Sequence, residues 1–262
     1  MYPINLENKT AVIFGVANHR SIAWSIAKIL HQAGAKLAIA YQNDRVKDSV
    51  SKLVEPWNDT LLIECDVSDD RNVEKAYAQI GNEFGEIDII YHSIAFANKE
   101  DLGGKFMVTP REGFRLALDI SAYSLIPIAR YGSALMGPEG GSIVAMTFQA
   151  SERVFPGYNV MGTAKAALEN EVKQLASDLG DKNIRVNAIS AGPLDTLSSR
   201  VISHYRDMKR IHGEKAPLKR NITVDEVAKT ALFLSSDLSS GITGEILHVC
   251  LLYTSPSPRD RG

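Results

Sequence analysis

The sequence predicts a doubly wound, Rossmann-like α/β fold, with a seven-stranded parallel sheet covered by helices on both faces. Three observations lead there. Short apolar, often β-branched runs alternate with stretches of helical periodicity along the chain. Within those runs apolar residues occupy both alternating faces, as strands buried on both sides require. The 262 residues, 45% apolar and 23% charged, are enough to bury one large core.

Taken in order, the strand-like runs are TAVIFG (10–15), KLAIAY (36–41), TLLIEC (60–65), IDIIYH (87–92), SIVAMTF (142–148), IRVNAIS (184–190) and GEILHV (244–249). Between them, helical spacing links Ile22, Ile26, Ile29 and Leu30, and then Val73, Ala76, Tyr77 and Ile80. Further periodic stretches run from Phe114 to Leu135, Ala164 to Leu179 and Val224 to Leu234. Strands separated by helices require right-handed crossovers, and such sheets bind ligands at the carboxyl ends of their strands. No repeat or linker divides residues 1–249, which read as one dinucleotide-binding and catalytic domain. From Cys250 the sequence turns abruptly to CLLYTSPSPRDRG, without periodicity. Residues 250–262 are expected to be a tail, disordered or foreign to the rest of the chain.

Composition excludes several classes. A net charge of −2 argues against nucleic acid as a partner, which would need a concentrated basic surface. Cys65 and Cys250 do not make a disulfide framework, so a reducing compartment fits. The start MYPINLENKT has no signal-peptide pattern, and no apolar run reaches the ~18–20 residues needed to span a bilayer. A cytoplasmic protein without membrane association is expected. The histidines (His19, His31, His92, His204, His212, His248) lack metal-ligand spacing, so no metal site is expected.

Two stretches carry chemistry. VIFGVANHRSIAWSIAKIL, Val12 to Leu30, reads as strand, polar loop and helix, the place for a dinucleotide-binding turn, yet its loop keeps only Gly15. In RVFPGYNVMGTAKAALENEV, residues 153–172, Tyr158 and Lys165 lie seven apart at the start of a helical pattern. Seven residues are about two turns, ~20° short of full phase, so both would project from one helix face. A phenol beside an ammonium and a nicotinamide ribose can donate a proton or stabilise an oxyanion. A tyrosine and a solvated lysine that merely share a face would look the same in isolation. The later run IRVNAISAGPLDT ends its strand in Ser190-Ala191-Gly192-Pro193 and places Thr196 to reach a phosphate or carboxamide.

Together these segments, with YQND, CDV, HSIAFA, DISAYS, APLKR and SDLSSGITGE, resemble the short-chain dehydrogenase/reductases. Within that superfamily the chain is similar to the bacterial NADH-dependent enoyl-acyl-carrier-protein reductases, from Leu6 to Val249. Relatives that reduce ketones use Tyr-x3-Lys; here Met161 holds that tyrosine position, and the spacing is the Tyr-x6-Lys of the enoyl reductases. The extra helical turn moves the ring ~5 Å. That shift suits hydride delivery to the β-carbon of an enoyl thioester whose oxygen gathers the charge.

The resemblance implies Tyr158 and Lys165 as catalytic residues, with Lys165 also on the nicotinamide ribose. It implies Gly15, Ser21, Ile22, Gln42, Asp66, Val67, Ile94, Leu194 and Thr196 for the cofactor, and Ala97, Phe148 and Tyr158 for the substrate. The longer G-x5-S-I-A loop matches the form these reductases use in place of extra glycines. NADH is expected over NADPH because Gln42 offers no charge to a 2′-phosphate, though Arg45 and Lys47 lie near. The substrate would be enoyl-acyl carrier protein of type II fatty-acid synthesis, and the assembly a homotetramer.

Three positions depart from the family pattern. Phe148 replaces a second active-site tyrosine, Asp195 stands where the loop usually has arginine or lysine, and Cys250-Leu251-Leu252 replaces V-D-G-G. The basic stretch RDMKRIHGEKAPLKR (206–220) reads either as a solvated helix face or as a dock for an acidic carrier protein through Lys209 and Arg210. The rival functions are a carbonyl or 3-ketoacyl reductase and a catalytically silent NAD(P)-binding regulator.

Overall fold

The computed structural model describes residues 4–196 and 205–251. Its strands are β1 (Thr10–Phe14), β2 (Lys36–Tyr41), β3 (Thr60–Glu64), β4 (Ile89–His92), β5 (Gly141–Thr147), β6 (Ile184–Ala191) and β7 (Ile246–Val249). They form one sheet in the order β3-β2-β1-β4-β5-β6-β7, and every neighbouring pair is parallel. Each apolar run named from the sequence overlaps one strand. The chain reverses its direction of travel across the sheet between β1 and β4, which makes that junction the topological switch point.

The doubly buried character of the strands is visible residue by residue. In β1, Ala11 and Ile13 enter one core while Val12 and Phe14 enter the other, all essentially inaccessible to solvent. The first core takes α1 (Ile22–Gln32), α2 (Asp44–Val54) and α8 (Val224–Leu234); the second takes α3 (Asp70–Phe84), α5 (Leu125–Ser133) and α6 (Val160–Leu179). α2 goes beyond the periodic stretches named above, although Val46, Val50, Leu53 and Val54 recur at helical spacing. Asn43 caps it, accepting from the Val46 N–H at 3.2 Å. On the first face, Trp24 stacks on Trp57 with centroids 4.7 Å apart, and His31 also stacks on Trp57 at 4.3 Å. α8 is fixed at its C-terminal end by buried side chains of the sheet. Tyr91 donates to the Ala231 carbonyl at 2.6 Å, and Ser142 to the Leu234 carbonyl at 2.8 Å.

The periodic stretch from Phe114 to Leu135 is not one helix. It divides into α4 (Arg111–Leu118), a π-helical turn (Asp119–Tyr123) and α5. Side-chain hydroxyls cause the break: Ser124 donates to the Ile120 carbonyl, and Ser121 bonds across to another segment altogether. The remaining helix, α7 (Tyr205–Lys215), falls in the basic stretch. Residues 252–262, most of the expected tail, lie outside the described residues; Leu251 packs against the first core.

α5 lies very close to β4 at Gly132, where an added Cβ would meet Ile90 Cδ1 at 2.3 Å and Tyr77 Oη at 2.8 Å. Ile90 and Tyr77 are themselves buried, so neither can swing into solvent. Gly132→Ala is therefore expected to destabilise the fold by about 1–3 kcal/mol, read as a lower urea midpoint at unchanged slope.

Candidate active site

The loop after β1 shows why a single glycine suffices. Gly15 has φ +97°, and a Cβ there would lie 2.0 Å from the Ser93 carbonyl oxygen, so the β1 and β4 exits can approach only if this residue is glycine. The rest of the loop is shaped by side chains. Ser21 Oγ accepts from the amides of Ala17 and Asn18, both at 3.1 Å, and Asn18 Oδ1 accepts from the Arg20 amide at 2.8 Å. Ser21 thus organises the loop upstream instead of capping α1 with its side chain. The first turn of α1 carries no acidic residue, so its partial positive charge is left for an anion.

Tyr158 and Lys165 meet the same cavity by a route that differs from the one the spacing suggests. α6 begins at Val160, so Tyr158 precedes the helix and does not share a helical face with Lys165. Pro156, Gly157 at φ +83° and Asn159 at φ +39° keep the helix from starting earlier. The turn is pinned from outside: Asn159 donates its side-chain amide to the Gly103 carbonyl, and the Gly103 amide donates to Gly157 at 3.1 Å. Phe148 packs beside Tyr158 and Phe155, with ring centroids 5.1 and 4.8 Å away. Burial, with Tyr205 nearby, raises the Tyr158 phenol above its usual pKa, so it remains a proton-bearing donor.

Lys165 is 4% exposed, and its ammonium donates to the Met146 carbonyl at 2.8 Å and the Ile94 carbonyl at 3.3 Å. An ammonium has three donors, which leaves one for an occupant of the cavity. Burial lowers its pKa to about 8, partly opposed by Glu169 one helical turn later. Glu169 in turn accepts from the Thr147 hydroxyl at 2.6 Å.

A cavity of about 580 Å³ opens over the carboxyl ends of the strands. Gly15, Ser21, Ile22, Gln42, Val67, Ile94, Ala97, Phe148, Tyr158, Lys165, Leu194 and Thr196 line it, so the structure gathers all but one of the anticipated residues. Asp66 is the exception. Its carboxylate turns back on its own chain, accepting from the Ser68 amide at 3.0 Å and the Ser68 hydroxyl at 2.8 Å, and its neighbour Val67 forms the wall instead. Asp195 likewise does not line the cavity; its exposed carboxylate pairs with Lys209. Cys250 sits with its sulfur 3.2 Å from His212 Nε2.

Several wall residues went unanticipated. Thr147 ends β5 and Cys65 directly follows β3, positions that alone mark them as candidates. Tyr205, which donates to the Leu194 carbonyl at 2.6 Å, has no local sequence signal. A nicotinamide dinucleotide fits this cradle: the glycine contact leaves room for close backbone approach, the N-terminus of α1 reaches the cavity without an acidic residue in its first turn, and the buried Lys165 lines the wall.

With the site described, similarity to known proteins becomes informative. Residues 15–251 match the family described as Enoyl-(Acyl carrier protein) reductase. The chain is 54% identical over 248 residues to the enoyl-[acyl-carrier-protein] reductase [NADPH] FabI of Staphylococcus aureus strain MRSA252, covering 94% of this chain and 96% of that one. It is 50% identical over 247 residues to the NADH-dependent FabI of Bacillus subtilis strain 168, covering 94% and 95%. Its backbone superposes with a TM-score of 0.92 on the Bacillus cereus enoyl-acyl carrier protein reductase solved with NADP+ and indole naphthyridinone, at 48% identity over 95% of this chain and 97% of that one. Parallel sheet, cavity and matching sequence agree: the chain belongs to the enoyl-(acyl-carrier-protein) reductase family.

Proposed function

We propose that the protein reduces the carbon–carbon double bond of trans-2-enoyl thioesters carried on acyl carrier protein, in type II fatty-acid synthesis, with NADH as the hydride donor. The observation that carries this reading is the meeting of Tyr158 and Lys165 on one cavity wall, while Met161, at the tyrosine position of ketone reducers, supplies only an apolar surface. This arrangement favours neither the carbonyl reductase nor the silent regulator. When bound, the dinucleotide supplies the hydride. The chain's own residues do the rest. The Tyr158 hydroxyl donates to the thioester oxygen as charge gathers there, and Lys165 adds a positive field and a donor for the ribose. The Phe148–Phe155–Tyr158 cluster keeps water from that oxygen, which strengthens both interactions.

The end of β2 supports NADH as the donor. Gln42 reaches the cavity uncharged, and the Asn43 side chain is committed to capping α2. Lys47 extends over the Tyr41 ring, 5.7 Å from its centroid. The basic stretch supports the solvated-face reading over a carrier dock, because Lys209 pairs with Asp195, Arg210 with Glu214 and Arg220 with Glu226. Among the described residues no helix is long and apolar enough to cross a membrane. The family resemblance supports a cytoplasmic homotetramer.

Four outcomes test this reading of the site. Tyr158→Phe should lower kcat on crotonyl thioester by about 10²–10³, with KM for NADH little changed, followed as NADH absorbance; undiminished turnover would sink the assignment. In the free enzyme kcat/KM should fall as pH rises through about 8, because Lys165 then loses its proton. Stability should move the other way. The unfolded chain holds that proton up to about 10.5, so between these values it binds more protons than the folded protein, and urea midpoints should rise with pH. Finally, Gln42→Arg should raise kcat/KM with NADPH about tenfold relative to NADH, the worth of one charged hydrogen bond.

A further inference from the structure

The π-helical turn Asp119–Tyr123 is joined to the β4 exit at two places. Ser121, fully buried, uses one hydroxyl on both sides of a single peptide residue: its Oγ accepts from the Phe96 amide at 2.9 Å and donates to the Phe96 carbonyl at 2.9 Å. It also lies 3.7 Å from Met161 Sδ. His92, the last residue of β4 and equally buried, meets Ser124 Oγ through Nε2 at 2.8 Å, and Ser124 Oγ donates to the Ile120 carbonyl at 2.7 Å. A hydroxyl has one proton, so with that proton on Ile120 the imidazole must be the donor, protonated at Nε2. Burial, then the nearby Lys165 charge, lowers the pKa of His92 to about 3, so it is neutral at any pH where the protein works.

These bonds bracket the segment between His92 and Phe96. Ser93, Ile94 and Phe96 line the cavity, as does Ile120 from the turn, whereas His92, Ser121 and Ser124 do not. The Ile94 carbonyl is also one of the two acceptors that hold Lys165. A π turn gives up regular helical bonds, and such turns recur at functional sites. Here Ser121 lies inside the turn and Ser124 caps its C-terminal end.

We propose that Ser121 and His92 are positioning residues of the reductase site, clamping the Ser93–Phe96 segment as the wall against which the enoyl thioester is oriented. Ser121 holds the acyl end through Phe96; His92 holds the turn that carries Ile120. Neither side chain lines the cavity, and Ser121 acts at Phe96, two residues beyond Ile94, the cofactor-side residue of the segment. The proposal rests on the enoyl reductase reading, and the test keeps the two apart.

Steady-state kinetics and NADH binding are measured on the full chain for wild type, Ser121→Ala, His92→Phe and His92→Gln. Ser121→Ala is expected to raise KM for the enoyl thioester and lower kcat, for a combined loss in kcat/KM of about tenfold, the worth of one or two buried hydrogen bonds. Its Kd for NADH, from fluorescence titration, should stay within about twofold. His92→Phe should act in the same direction, and His92→Gln, which keeps an N–H for Ser124, should recover most of the loss. Ser121→Ala kinetics within twofold of wild type overturn the clamp, as does a Kd for NADH that worsens in step with KM for the thioester. If His92→Phe does not fold, the Ser121→Ala split decides. No turnover by the wild type on any enoyl thioester removes the reductase reading, and the clamp with it.

Discussion

One buried ammonium group sets the terms for the rest of the site. Taking a lysine charge out of water is expensive unless oxygen ligands replace the lost hydration. Lys165 obtains them from two backbone carbonyls, Met146 within β5 and Ile94 beyond β4, neither of which a helix or sheet would normally leave for a side chain. β4 and β5 keep a parallel register from Ile89–Ser142 to His92–Ala145, and β5 runs two residues further, which sets the Met146 and Ile94 carbonyls around one ammonium. Glu169 supplies a compensating charge one turn along α6, steadied by Thr147 at the end of β5. The cation thereby ties strand length, register and helix placement to a single point.

The glycine contact at the β1 exit answers the same geometrical demand from the other side. β1 and β4 are neighbours, and their exits converge on the switch point. With Gly15 almost touching the Ser93 carbonyl, the loop needs no further glycines, because Ser21 and Asn18 shape its remaining turns through hydrogen bonds to its own amides. A polar loop of this kind is stiffer than a glycine-rich one, since the amides of Ala17, Asn18, Arg20 and Ser21 all find acceptors within it.

Much of this was legible in the chain because periodicity reports burial directly. The seven apolar runs are the seven strands, the inner ones buried on both faces and the edge strands β3 and β7 only half-buried, and several wall residues follow from their carboxyl ends. Tyr158 and Lys165 were legible as a pair through spacing, yet not in their true relation: Gly157 and Asn159 take positive φ, and only contacts from Gly103, over fifty residues away, make that turn pay. Asp66 stands apart from the other named wall residues because a carboxylate after a strand can also serve its own turn, as it does here with the Ser68 amide and hydroxyl. The π turn is invisible to periodicity, since one added residue disturbs the helical phase less than the side chains of Leu116, Ile120 and Ile128 can reveal. Tyr205 enters the cavity by tertiary placement alone.

The chain has two tryptophans, and both stand in one stack on the β3 side of the first core. Neither lines the cavity. Excitation absorbed by either ring is therefore shared within a pair that also stacks, through Trp57, on the His31 imidazole. The intrinsic emission of this protein is a gauge of how α1 sits against the approach to β3. Unfolding of that edge should register optically even while the chemistry at the far ends of the strands stays silent in the same signal.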